Sequence, residues 1–171
     1  MVYPIVKYGQ PVLEAQSATI AEFDTADLHK LVEDMFESMY AAKGVGLAAP
    51  QIGVGRRVAV IDLTNGEDEA QRLVMINPEI IGVEGSQTGE EGCLSIPTFR
   101  EPVTRPQRVT IRAHDAKGKP YEMTGEDLLA RAFLHETDHL HGRLYINHIS
   151  PLKRDLIRRK IRKLQKAGEW E

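Results

Sequence analysis

The chain has 171 residues, 42% apolar and 27% charged, with a formal net charge of −3, an ordinary balance for a globular protein. No apolar run approaches the roughly 20 residues of a membrane span. The start, Met1 to Gln10, lacks the basic-then-apolar pattern of a secretory signal, and the lone cysteine, Cys93, excludes an internal disulfide. A soluble, cytoplasmic protein is expected, with residues 1–171 forming one domain.

In chain order, Asp24 or Thr25 caps a helix expected to run to about Ala42, with Leu28, Leu31, Val32, Met35 and Met39 on one face. Gly44 ends it. Gly44-Val45-Gly46-Leu47-Ala48-Ala49-Pro50-Gln51 is too glycine-rich for a comfortable helix and reads as a buried extended segment. Strand-like runs follow at 57–63, 72–76, 79–84 and 108–114, with turn signals at Asn65-Gly66 and Lys117-Gly118. A second helix is expected from near Thr124, with Asp127 three residues on resembling a capping box, to a stop at Gly142. A third starts at Ser150-Pro151. The fold class is α+β: antiparallel or mixed sheets around a central helix, with a C-terminal helix.

The central helix carries His135-Glu136-Thr137-Asp138-His139. Residues four apart share a helix face, so both imidazoles can hold one ion with the glutamate beside its water. Burying His-Glu-His on an otherwise apolar helix without a partner would be costly, which favours metal binding over a chance pair. A catalytic metal needs a third ligand. His141 and His148 lie downstream but read as surface or capping residues, whereas Cys93, in Glu91-Gly92-Cys93-Leu94-Ser95, can complete a Cys-His-His set.

Three segments, 44–51, 91–95 and 135–140, together resemble the signature of the peptide deformylases, in that family's order. The resemblance implies one divalent ion, Fe(II) by preference with nickel, cobalt or zinc as substitutes, held by Cys93, His135 and His139. It implies a water activated by that ion, Glu136 as general acid/base, and Gln51 and the Leu94 N–H as donors to the oxyanion. The substrate is then a formylmethionyl nascent peptide, and formate is released. Val45, Gly46 and Gly92 correspond to positions pairing with the substrate main chain, and Arg100 to one at the pocket rim. Leu128 and Ala132 share the His135 face and are read either as lining of a methionine pocket or as core. Glu91 and Arg105 are read either as an ion pair behind the ligand loop or as surface residues, and Asp138 as a partner for a ligand imidazole or an ordinary polar helix residue. Leu134 stands where many members have glutamine.

The charge is uneven. From Pro151 onward eight Lys or Arg face three acids, a net of +5, leaving −8 on the rest. Leu152, Leu156, Ile157, Ile161 and Leu164 recur at helical spacing and should pack on the body. The basic opposite face is either a ribosome contact through RNA phosphates, as the resemblance implies, or a solvated helix face. No membrane partner is expected. Two rival functions make distinct demands. A peptidase of the His-Glu-x-x-His type needs a downstream third ligand, and a non-catalytic binding module would be expected to have lost Glu136 or a ligand.

Overall fold

The computed structural model describes residues 1–170; Glu171, one of the acids of the basic tail, lies outside the described residues. Helix α1, Ala26–Ala41, begins where Thr25 Oγ1 accepts the Leu28 N–H, so Thr25 is the cap. The chain then runs extended as strand β1, Gly46–Ala48, and tightens into a 3-10 turn over Ala49–Ile52. The extended reading of 44–51 therefore holds only as far as Ala48.

Strand β2 is Val58–Ile61, and β3 is a single strand, Leu73–Glu84, where the sequence suggested two. Asn77 marks the break the sequence detected. It takes a positive φ of 51°, the register to the partner strand shifts there, and its carboxamide pairs with both backbone groups of Ile20. Strands β4 (Gln87–Cys93) and β5 (Ile96–Arg105) form a separate two-stranded sheet. Strands β6 (Arg108–His114) and β7 (Pro120–Glu126) complete a five-stranded sheet of order β1-β2-β3-β6-β7. Every strand pair is antiparallel, with one isolated parallel bridge between Ala18 and Arg56.

Helix α2 spans Asp127–Leu140, so the start expected at Thr124 is corrected. Thr124 lies in β7 opposite Thr110, and their hydroxyls are 2.8 Å apart. Cross-strand pairing overrides the local capping signal. Helix α3, Pro151–Lys166, starts as expected, with Ser150 Oγ accepting the Lys153 N–H.

Period-two patterning sets the layers. Val58 and Val60 of β2 face α1 through Leu28, Val32, Met35, Phe36 and Met39. Ala59 and Ile61 face the other way, where Met75, Val109, Ile111 and Ala113 join Ala130, Phe133 and Leu140 of α2. The large sheet is thus covered on both faces, each buried Leu, Ile or Phe contributing about 1.5–3 kcal/mol. A third cluster joins Ile96 and Val103 of β5 to Tyr145, Ile157 and Ile161, docking α3 on the small sheet. Leu152 and Leu156, expected to pack, are 71% and 46% exposed. Among the described residues no helix is long and apolar enough to cross a membrane.

Candidate active site

Helix α2 packs one face against the large sheet, turns His135 and His139 toward Glu91 and Cys93 of the β4–β5 hairpin, and sets Glu136 beside Gly46 of β1. At the tip of that hairpin the pairing register shifts between Gly92 and Cys93, which delivers the thiol to the helix. Cys93 Sγ lies 3.4 Å from His139 Nε2, which is 3.2 Å from His135 Nε2. One ligand atom from each of the three residues lies within 4.8 Å of the others, a group that could hold a metal ion.

The donor chemistry fits a cation. His135 Nδ1 meets the Glu91 carboxylate at 2.8 Å, and a carboxylate only accepts, so Nδ1 carries the hydrogen, which in the neutral ring leaves the Nε2 lone pair facing inward. Two nitrogens each about 2.1 Å from one ion at the tetrahedral angle lie about 3.4 Å apart, close to the separation found. Three mutually facing lone-pair donors in a buried site are stable only around a proton or a metal.

The cluster opens into a cavity of about 480 Å³ lined by Val45, Gly46, Gln51, Gly92, Cys93, Leu94, Arg100, Leu128, Ala132, His135 and Glu136. Every residue given a catalytic, substrate-binding or metal-ligand role from the sequence is therefore at this cavity except His139, which is fully buried. Leu128 is 51% exposed, so it belongs to the cavity mouth and not to the core. The two downstream histidines are elsewhere: His141 faces Gln16, and His148 sits 2.8 Å from Asp138.

The polypeptide deformylase family model matches residues 2–155. The peptide deformylase of Acidobacterium capsulatum is 57% identical over 170 residues, 99% of each chain. The chain belongs to the peptide deformylase family. It is accordingly a hydrolase acting on formyl-methionine peptides, from a family that uses a divalent metal. The peptide deformylase of Alkalilimnicola ehrlichii is 49% identical, over 96% of this chain and 91% of its own. The crystal structure of a peptide deformylase from Legionella pneumophila matches with a TM-score of 0.90 at 42% identity, over 100% of this chain and 99% of that one.

The electrostatics of the site follow from burial and pairing. Burial raises the Glu136 carboxyl above its usual range, and the charges of His135 and His139 offset this only in part. Its Oε1 is buried without a hydrogen-bond partner among the described residues. Burial also pushes the Cys93 thiol up, but the neighbouring His139 and His135 imidazoles outweigh it and bring it down to about 5. Glu91 is the opposite case to Glu136. Burial opposes its ionisation, yet hydrogen bonds from His135 and Arg105 hold it well below the carboxylate range.

Glu91 pairs with Arg105 through both oxygens, at 2.7 and 3.0 Å, and also accepts from Arg131 Nη1 at 2.5 Å. The ion pair read from the sequence is thus real and larger than read. Asp138 bonds Arg105 and His148 instead of a ligand imidazole. Sequence reasoning missed Arg131 and the cavity wall from Ile96 to Phe99. Arg131 carried a legible signal, a charge among apolar residues of the helix. The β5 wall carried little, because Pro97 and Pro102 argue against a strand.

Two glycines hold the backbone open. A Cβ on Gly46 would collide with the Glu136 carboxylate, and one on Gly92 would meet the Arg100 side chain at 2.9 Å.

Proposed function

We propose that residues 1–171 form one catalytic domain that removes formyl groups from nascent peptides beginning with formylmethionine, using one divalent ion, Fe(II) by preference, held by Cys93, His135 and His139. The convergence of those three ligand atoms at the floor of a cavity, beside the buried Glu136 whose Oε1 has no hydrogen-bond partner among the described residues, carries the reading. When bound, the ion supplies Lewis acidity that polarises the formyl oxygen and makes a water acidic.

The protein's own groups do the rest. Glu136, its carboxyl raised by burial, takes the proton of the attacking water and passes it to the departing amine. Gln51 Nε2, 3.5 Å from Cys93 Sγ, donates to the oxygen that gains charge. So does the Leu94 N–H, which makes no backbone hydrogen bond among the described residues. Val45, Gly46 and Gly92 line the cavity and present backbone to an extended peptide. Leu128 and Ala132 enclose the methionine side chain, and Arg100, 61% exposed, stands at the rim near Glu90. The peptidase reading lacks its downstream ligand, since His141 and His148 are engaged elsewhere.

The test is formate release from a formyl-methionyl tripeptide by anaerobically purified, Fe(II)-loaded protein, with Glu136→Ala alongside. Rapid release that vanishes in the variant is expected. Silence with Fe(II), nickel, cobalt and zinc, despite bound metal, would refute the reading.

Helix α3 supports a ribosome contact as a second element of the proposal. It buries Ile157 and Ile161 and leaves its basic residues Lys153, Arg159, Lys160, Arg162 and Lys163 exposed. Such binding should weaken steeply with salt.

A further inference from the structure

We infer that Ser95 is a positioning residue for the Gln51 carboxamide. The inference rests on the reading of Gln51 as a donor to the oxyanion and adds what aims that donor. Both residues are buried, Ser95 completely and Gln51 at 2% exposure.

The carboxamide is oriented from two ends. Gln51 Oε1 accepts the Ala48 N–H at 3.0 Å. A backbone N–H can only donate, so the oxygen end must face Ala48 and the amide end must face the opposite way. There, Gln51 Nε2 donates to Ser95 Oγ at 3.2 Å. Nε2 has two hydrogens. With one committed to Ser95, the other is directed toward Cys93 Sγ, 3.5 Å away, which is the mouth of the ligand cluster.

Ser95 is itself held. Its C=O accepts the Tyr8 N–H at 2.8 Å, and the Gln51 C=O accepts the Val6 N–H at 2.7 Å, so the N-terminal segment fastens both residues from behind. Without the Ser95 hydroxyl, the carboxamide keeps its anchor at Ala48 but loses the one at its amide end. The terminal torsion of glutamine is soft, so the amide would sample a wide arc. The donor would then be less well aimed when charge develops, with no change in how the peptide binds in the ground state.

The experiment is a double-mutant cycle on metal-loaded protein. Wild type, Ser95→Ala, Gln51→Ala and the double variant are compared for kcat and KM of formate release, bound metal and melting temperature. Ser95→Ala should lower kcat about fivefold, the cost of one neutral hydrogen bond, with KM and metal content unchanged and melting lowered by only about 2–4 °C per kcal/mol lost. In the Gln51→Ala background, the Ser95 substitution should have no further effect. In zinc-loaded protein, the Gln51 side-chain amide signals in nitrogen-15 NMR should shift and exchange faster with water in Ser95→Ala.

Equal fold-losses in both backgrounds, or an unchanged kcat in Ser95→Ala, would overturn the role of Ser95 while leaving Gln51 a donor. No loss in Gln51→Ala would instead overturn the reading of Gln51 itself. Should Ser95→Ala lose metal or melt early, Ser95→Cys, of similar volume but a poorer acceptor, runs through the same cycle with the same criteria.

Discussion

Replacing Glu91 with glutamine is a severe test of how the site is held together. Glu91 is 4% exposed, and its Oε1 accepts from Arg105 Nη2 at 2.7 Å and His135 Nδ1 at 2.8 Å. Its Oε2 accepts from Arg105 Nε at 3.0 Å and Arg131 Nη1 at 2.5 Å. All four contacts come from donors on three residues. Glutamine offers one oxygen and one amide that can only donate, so whichever way it turns, two donors face a donor. Two guanidiniums also lose their buried counter-charge, although Asp138 still faces Arg105. Hydrogen bonds to charged groups contribute about 1.5–3 kcal/mol each, and breaking a buried ion pair typically costs about 3–5 kcal/mol, so Glu91→Gln should destabilise the fold by about 3–5 kcal/mol. Because Glu91 also fixes the His135 ring, metal affinity should fall by about 10- to 100-fold. Urea unfolding with and without added metal, together with a competitive metal titration, measures both. A loss below about 1 kcal/mol with unchanged metal affinity would refute the claim that this carboxylate organises the site.

Three further perturbations probe other parts of the structure. Gly46→Ala places a methyl against the Glu136 carboxylate, so kcat should drop by about a hundredfold while bound metal stays constant; less than a twofold loss would refute it. Removing the ion with a chelator should abolish formate release and lower the melting temperature, and re-addition of Fe(II) or nickel should restore both. Asp62 is fully buried. Burial pushes its carboxyl up, but hydrogen bonds from Thr64, Tyr40 and Gly66 hold it below the usual range. A depressed folded value stabilises the fold above the unfolded pKa of about 3.9, and that contribution is lost as pH falls through the folded value. Asp62→Asn should therefore be less stable than wild type at neutral pH, with the gap narrowing below about pH 4. A gap independent of pH would count against the assignment.

What the sequence determined by itself is what local geometry dictates. The spacing of His135 and His139 means one helix face in any fold, and Ser150-Pro151 starts a helix by its own capping chemistry. The tertiary structure decided the rest. It brought Cys93 to that face through a hairpin whose strands are not legible in sequence, since Gln87–Cys93 has no apolar alternation and Ile96–Arg105 contains two prolines. It also moved the start of α2 from Thr124 to Asp127, because β7 gains more from pairing along β6 than from a first helical turn. Arg105 was legible as a partner for Glu91, but Arg131 and His135 as further partners were not. Such a network depends on which side chains from different elements share a buried volume. Patterns along the chain encode periodicity, and periodicity fixes faces, whereas the meeting of faces is set by packing across long sequence separations.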